Sequence, residues 1–216
     1  MIGAKGIAEW LAPVGDACAR AGIDNLVHEL AAAANAADEQ RRLSSWLAAT
    51  AAEKVWRLPF PMGVFGTLRA GCRNHALMRA QPIAKQQRAF LPQFAAREIG
   101  LHFRPGASAP FEIYGYAADA WHALIPAVDE LEEFRPGHID PTVYHRTLAW
   151  LYLLPEPFDH PMYDLAMLPH ERDLQIDVQG SNYDRLPCWI YSGIEQNRLA
   201  ATRADSPIIW DGASAH

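Results

Sequence analysis

The feature that most constrains the fold is a change in sequence pattern about halfway along the chain. In the first part, apolar residues such as Ile23, Leu26 and Leu30 recur at helical spacing among many alanines. Short aromatic segments between prolines and glycines follow, and these are typical of strands. The pattern predicts an α+β fold, with a helical N-terminal portion (residues 1–98) packed on a mixed C-terminal portion (residues 99–216) that holds a small antiparallel sheet.

Each segment within this scheme has an expected secondary structure. Helices are predicted over residues 7–57, 64–80, 83–98, 116–133 and 140–154. Strands are predicted at residues 101–106, 110–116, 174–178 and 186–191, with an edge strand at 206–210. Asp140 and Pro141 support the start of the last helix, because aspartate is a favoured N-cap and proline fits the first helical turn.

The length of the chain limits the number of domains, and its cysteines indicate the cellular compartment. A chain of 216 residues can bury one sizeable core, so residues 1–216 are expected to form a single domain. Its three cysteines are widely spaced and include no CxxC pair, which favours reduced thiols in a cytoplasm. Since no signal peptide and no run of about 18 apolar residues is found, a cytoplasmic protein without a membrane partner is expected.

Charge is distributed unevenly along the chain, whose net charge is −6. Residues 58–110 carry seven basic side chains and one acidic one, whereas residues 111–216 carry six basic and seventeen acidic ones. The basic segment, residues 69–97, is a candidate site for a small molecule or an anion. Nucleic acid is not expected as a partner, because a domain dedicated to binding it is usually basic overall.

Histidines and aspartates are dense between residues 138 and 173, and side chains of these types hold divalent metals. The candidate ligands are His138, His160, Asp164, His170 and Asp173. Their spacing matches no established signature such as HExxH. A divalent metal is the one cofactor considered. The corresponding alternative function is a metal-dependent hydrolase, in which these residues, with His145 and Asp159, hold a metal that activates water.

Three side chains are the candidate catalytic groups: His145, His160 and Cys72. Cys72 lies three residues before His75, which places both on one face of the predicted helix 64–80. Arginines nearby would favour the thiolate form. The chain has no GxSxG, GxGxxG or GxxxxGK[ST] sequence, so the standard serine-hydrolase and phosphate-binding loops are excluded. Whether the chain is an enzyme stays open on the sequence alone.

The acidic C-terminal part is also rich in aromatic residues, and this combination supports the leading functional prediction. We expect a soluble intracellular binding protein, of the inhibitor or immunity type, that captures a basic protein partner. The expected binding residues are Glu130, Glu132, Glu133, Trp121 and Trp150. The helix dipole disfavours negative charge near the end of the helix 116–133, so basic side chains from residues 58–110 are expected to lie close to it.

Overall fold

The computed structural model contains three helices and six strands in the residues that it describes, which are 3–21, 56–97, 100–135, 144–155, 171–172, 176 and 183–193. The helices are α1 (Gly3–Ala21), α2 (His75–Met78) and α3 (Ala118–Leu131). The strands are β1 (Met62–Val64), β2 (Lys85–Arg97), β3 (Gly100–Gly115), β4 (Tyr144–Leu153), β5 (Glu171–Arg172) and β6 (Arg185–Gly193).

Five of these strands close into a small β-barrel. Strand β1 runs antiparallel to β3 and parallel to β6. Strand β6 then pairs with β4, β4 with β2, and β2 with β3, each pair antiparallel, so that the ring returns to its start. The short β5 pairs antiparallel with the C-terminal end of β2, where Ala96 lies opposite Arg172. Closure leaves these five strands with partners on both sides, which removes the exposed edges of an open sheet.

Apolar side chains fill the interior of the barrel. An ideal Cβ built on Gly63 would lie 2.5 Å from Leu151 Cδ1, 3.0 Å from Ile190 Cγ2 and 3.4 Å from Phe111 Cδ1. These three side chains come from three different strands, and all are fully buried. Glycine at position 63 therefore lets β1 approach its neighbours closely, as expected for the packed interior of a small barrel.

Helix α3 covers part of the barrel's outer surface. Its residues Trp121, Leu124 and Val128 are buried at the spacing of one helical face. Close to this layer, Trp56 stacks on Trp189 of β6 at 5.5 Å between ring centroids. Strands β4 and β6 are thus buried on both faces, against the barrel interior and against an aromatic outer layer.

Helix α1 packs against the end of the barrel where β2 begins and β3 ends. Its buried residues Ile7, Trp10, Leu11 and Val14 follow helical spacing. An ideal Cβ on Gly115 would lie 2.9 Å from the Trp10 ring, so the helix approaches the β3 backbone directly. Lys85 and Glu9 form an ion pair at 3.1 Å beside this contact.

The predicted fold class is wrong. The N-terminal portion to residue 98 is not a helical unit packed on a small open sheet, because it supplies β1 and β2 to a closed barrel. The predicted helix 64–80 is mostly turns with the short α2, and the predicted helix 83–98 is β2. The predicted helix 140–154 corresponds to β4.

The other predicted elements are either confirmed or lie outside the described residues. Helix α3 confirms the helix predicted over 116–133, and β3 and β6 confirm strands predicted at 101–106, 110–116 and 186–191. Residues 22–55 lie outside the described part of the chain, as do the predicted strand 206–210 and most of 174–178. None of the helices in the described residues is both long enough and apolar enough to cross a bilayer.

Candidate functional site

A pocket of about 280 Å³ opens between β1, the loop that follows it, and the C-terminal end of α3. Its lining consists of residues 63–68, Arg73 and Asn74, together with Leu131, Glu132 and Tyr191. We call residues 65–74 the site loop. A concave pocket in which a few polar groups converge is the usual form of a small-molecule site, and this volume lies just below the ~300–1,000 Å³ range of such sites.

A buried carboxylate on β3 anchors the middle of the site loop to the barrel. Glu112 Oε2 accepts a hydrogen bond of 2.7 Å from the backbone N–H of Ala70 and one of 2.5 Å from the Tyr114 hydroxyl. Burial raises the pKa of Tyr114, so the phenol stays protonated and remains a donor. Glu112 and Tyr114 lie two residues apart on β3, so strand alternation turns both toward the loop.

Three more contacts hold the site loop in place. Asn74 Nδ2 donates to Thr67 Oγ1 at 2.9 Å, and the Asn74 backbone N–H donates to the Thr67 carbonyl at 3.0 Å. His75 Nδ1 lies 3.1 Å from the Leu68 carbonyl oxygen. The pocket wall is therefore held by side-chain and backbone contacts before any ligand arrives, which lowers the entropy that a ligand must pay on binding.

Glu132 is the acidic group in the pocket lining. It directly follows α3, and its backbone N–H donates to the Val128 carbonyl at 3.0 Å, which fixes its position. Burial raises the pKa of its carboxyl group from 4.5 to about 7. Among the residues that the structure describes, none makes a hydrogen bond or ion pair with this carboxyl group. Glu132 therefore exchanges its proton near neutral pH.

The chain turns sharply after Glu132 through a strained backbone conformation. Glu133 has a φ of 57°, in the left-handed region that glycine normally occupies at the end of a helix. The Phe134 N–H reaches back to the Asp129 carbonyl at 2.8 Å, which is the bond of a Schellman motif. Non-glycine residues in this conformation cost free energy and are found preferentially at functional sites. The strain here adjoins the pocket.

A buried hydrogen-bond network includes Tyr191, which lines the pocket. The Tyr191 hydroxyl donates to Asp129 Oδ1 at 2.6 Å, and Arg146 Nη1 donates to Asp129 Oδ2 at 3.2 Å. Arg146 Nη2 donates to the Trp56 carbonyl at 2.6 Å. Burial raises the pKa of Asp129, and the positive charge of Arg146 opposes that shift. Burial also raises the pKa of Tyr191, so this phenol is neutral.

Four aromatic rings surround the guanidinium of Arg146. Its Cζ lies 5.3 Å from the ring centroids of Phe134 and Trp189, 5.5 Å from Trp121 and 5.6 Å from Trp56. Arginine is suited to such a site, because its flat, weakly hydrated cation stacks on rings while its N–H groups stay bonded. This cage explains how an arginine with 1% exposure is accommodated.

The structure separates the predicted binding residues into two groups. Glu130 and Glu133 are exposed, and Glu132 lines the pocket. Trp121 and Trp150, in contrast, have exposures of 1% and 2%. Their placement as surface anchors is corrected here: both rings are part of the core, because strand β4 and helix α3 are covered on the sides from which these rings project.

The basic segment and Cys72 also differ from expectation. Cys72 is half-buried in a turn of the site loop and not on a helix, so its spacing to His75 does not place the two side chains on a helical face. Arg69 is buried, whereas Arg73 is exposed and lines the pocket with Glu132. Arg73 of the basic segment and Glu132 at the end of α3 line the same pocket, and the expectation that basic side chains compensate the acidic end of this helix stays a prediction.

The other candidates cannot be placed. His138, His160, Asp164, His170 and Asp173 lie outside the described residues, and so does the side chain of His145. Within the part of the chain that the structure covers, no group of three or more histidine, cysteine, aspartate and glutamate side chains could hold a metal ion.

Several pocket residues were not identified from the sequence. Thr67, Asn74 and Tyr191 belong to no recognised motif, and Tyr191 reaches the pocket only because β6 pairs with β4 in this register. One signal was available: acidic residues collected at the end of a helix, against the helix dipole, indicate a function other than helix stability.

The comparisons with known proteins found no match for this chain. No protein-family model matches the chain, no curated protein is similar to it, and no solved structure matches it.

Proposed function

We propose that this protein is an enzyme that performs acid–base chemistry on a small polar molecule, with Glu132 as the group that carries the proton. The observation that supports this most strongly is the position of Glu132. Its carboxyl group lines a preformed pocket, has no partner among the described residues, and has a pKa raised by burial to about 7. A strongly shifted carboxyl group in a concave pocket is a typical candidate for a catalytic residue.

A pKa near neutrality suits both directions of proton transfer. The deprotonated carboxylate accepts a proton from the substrate, and the resulting acid returns it to another atom of the substrate. General acid–base catalysis is most effective when the pKa lies near the working pH, because both forms are then well populated. An ordinary glutamate would be almost fully ionised there and would be a poor acid.

The remaining pocket groups suit a small molecule that carries an anionic group. Arg73 also lines the pocket, and its guanidinium group matches a carboxylate or phosphate oxygen pair. Phe65 and Leu131 supply apolar contact at the edge. A carboxylate near Arg73 would place the rest of the substrate against Glu132.

The lining also indicates which chemistry the protein side chains do not supply. Among the described residues, those that line the pocket include no serine, cysteine, histidine or lysine. Thr67 has a hydroxyl, and it accepts a hydrogen bond from Asn74. We therefore propose that any nucleophile comes from the substrate or from water, and that Glu132 moves its proton.

The test is a comparison of wild type with Glu132→Gln and with Glu130→Gln as the matched control. All three would be incubated with mixtures of small carboxylate-bearing metabolites, and product formation would be followed by mass spectrometry. We expect kcat for a substrate found in this way to fall by about 10²–10⁴-fold in Glu132→Gln. Glu130 is exposed on the same turn, so its variant should stay within about twofold. Equal turnover by Glu132→Gln and wild type would contradict the proposal.

Capture of a basic protein remains a second candidate, supported by one observation. Leu131 is exposed at 42% and lies between Glu130 and Glu133, which are both exposed. An apolar side chain among carboxylates suits a partner that presents lysine or arginine side chains.

This second candidate has its own test. Glu130→Lys and Glu133→Lys should weaken binding to small basic proteins, and the loss should shrink as salt rises. Asp119→Lys makes the same charge change about 16 Å away along α3 and serves as the control. Affinities that are insensitive to salt and to both glutamate variants would remove this candidate.

A further inference from the structure

The hydrogen-bond chain that includes Tyr191 has a fixed direction. Arg146 has only donors, and its Nη1 donates to Asp129 Oδ2 at 3.2 Å. The carboxylate of Asp129 has only acceptors, so the 2.6 Å bond from Tyr191 to Asp129 Oδ1 must carry the phenolic proton of Tyr191. Arg146 is held in turn by the Trp56 carbonyl and by four rings. The donors and acceptors of this series of hydrogen bonds therefore cannot easily exchange roles.

The direction of the hydrogen bond from Tyr191 to Asp129 determines whether the Tyr191 hydroxyl can donate to a ligand or accept from it. A phenol has one proton and two lone pairs, and the proton of Tyr191 is already given to Asp129. Tyr191 lines the pocket, and the negative charge of Glu132 is close enough to raise the pKa of Tyr191 further. Only an acceptor is therefore left on the Tyr191 oxygen, beside a carboxyl group that also accepts when ionised.

We propose that Tyr191 determines specificity by accepting a hydrogen bond from an N–H group of the substrate, and that Asp129 and Arg146 are positioning residues that keep its oxygen an acceptor. The inference rests on the proposed function, since it concerns the ligand of the same pocket. It adds a requirement that the acid–base role of Glu132 does not contain: the molecule carries an amino or amide N–H group that reaches the Tyr191 oxygen.

Pairs of probes with and without N–H groups test the proposal. Suitable pairs are glycine and glycine betaine, 4-aminobutyrate and its N-trimethyl derivative, and ethanolamine and choline. Each pair has the same charge on nitrogen, but the second member has no N–H donor. Dissociation constants would be measured by NMR titration for wild type, Tyr191→Phe and Asp129→Asn.

We expect wild type to bind the N–H member of at least one pair about tenfold more tightly, which is the usual value of one hydrogen bond to a charged group. Trimethylation also adds bulk, so the preference alone is not decisive. Tyr191→Phe keeps the ring and removes only the oxygen, and the preference should fall to within about twofold. A preference due to bulk alone would survive this substitution and would overturn the proposal.

Asp129→Asn tests the positioning part without removing the phenol. The asparagine NH₂ group is repelled by the donors of Arg146, so it turns toward Tyr191 and donates to its oxygen. The phenolic proton of Tyr191 is then released from residue 129 and can point into the pocket, where it opposes a substrate N–H group, so the preference for the N–H member should fall about tenfold. An unchanged preference in this variant, or no preference in wild type for any pair, would overturn the proposal.

The two proposals fail in different ways. If Glu132→Gln keeps full turnover while Tyr191→Phe loses N–H selectivity, the acid–base role fails and the role of Tyr191 stands. If Glu132→Gln loses turnover while Tyr191→Phe keeps wild-type selectivity, the reverse holds. Thermal unfolding of each variant confirms that the changes act on a folded protein.

Discussion

Asp129 and Glu132 lie three residues apart at the same end of α3, but the surroundings of their carboxyl groups differ. Asp129 accepts hydrogen bonds from Tyr191 and Arg146, inside a layer of aromatic rings. Glu132 faces a pocket and has no partner for its carboxyl group among the described residues. Burial raises the pKa of both groups, but only Asp129 has a cation that opposes the shift.

The difference shows how one helix end can serve both structure and chemistry. A buried carboxylate that is fully bonded is part of the architecture, and removing its partner is costly. A half-buried carboxyl group without a partner gains nothing for stability from its charge, and it stays free to exchange a proton. Substitutions in the bonded network should therefore destabilise the protein much more than substitutions around the pocket carboxyl group.

Replacing Arg146 should have the largest effect. Arg146→Leu leaves Asp129 buried without its cation and leaves the Trp56 carbonyl without its donor. We expect the free energy of unfolding to fall by about 3–5 kcal/mol, as for other broken buried pairs. Urea denaturation would measure this, with Arg73→Leu as the control, which should change stability by no more than about 0.5 kcal/mol because Arg73 is exposed. Equal stabilities for the two variants would show that the network is not structural.

The same contrast between packed and open sites separates two glycines that line the pocket. Gly63→Ala would place a Cβ 2.5 Å from Leu151 Cδ1, so the barrel interior must shift, and we expect a loss of about 1–3 kcal/mol. Gly66 has no atom within 4 Å of an ideal Cβ, so Gly66→Ala should leave stability nearly unchanged. Thermal unfolding of both variants is the measurement. A Gly63→Ala variant as stable as Gly66→Ala would contradict the tight packing described for β1.

A smaller effect of opposite sign is expected at the turn after Glu132. Glu133 has a φ of 57°, and a glycine there would avoid a steric cost of about 1 kcal/mol. Glu133→Gly should therefore stabilise the protein by about that amount, less the extra entropy that glycine gives the unfolded chain. Glu133→Ala is the control, since it removes the charge and keeps the strain. If the alanine variant gains as much as the glycine variant, charge repulsion and not backbone strain is the cause.

The smallest effect is expected in the pH dependence of the free energy of unfolding. Glu132 keeps some exposure to solvent, so its raised pKa contributes little to stability. Its pKa is raised in the folded state, so the folded protein holds the proton between pH 4.5 and about 7 while the unfolded chain releases it. Stability contributed by this group is thus present below pH 4.5 and is lost as the pH rises to about 7. Glu132→Gln should lack this decline in urea denaturation across the same range. Parallel pH profiles for the two proteins would contradict the shift.

The sequence predicts α3 correctly because a surface helix is buried on one face only. Trp121, Leu124 and Val128 keep the spacing of that face, and the polar residues between them face solvent. Strand β3 was recognised from its aromatic residues and from the glycines and prolines around it.

Strands β2 and β4 were mistaken for helices because both of their faces are buried. In β2, residues 89–92 are all buried, so no polar alternation marks a strand. The register also shifts between Pro92 and Phe94, where Gln93 adopts a φ of 68°. Phe90, Leu91 and Phe94 have the sequence spacing of one helical face, although Phe90 and Phe94 pack in different core clusters, and only pairing with β3 and β4 resolves the ambiguity.

The candidate site could be predicted only in part for a related reason. Glu132 was selected as a binding residue because it belongs to an acidic run in the aromatic-rich C-terminal part, which is a local property of the sequence. Tyr191 and Arg73 are far from it in sequence, and barrel closure brings them together. The burial that raises the pKa of Glu132 is likewise a product of tertiary packing.

The most direct test of the central claim is a measurement of the Glu132 pKa in the folded protein. The ¹³C resonance of its side-chain carboxyl group would be followed by NMR from pH 4 to 9 and assigned by its absence in Glu132→Gln. We predict a midpoint of about 7. A midpoint near 4.5, the ordinary value for glutamate, would show a solvated surface carboxylate and would contradict its role as the proton carrier of this pocket.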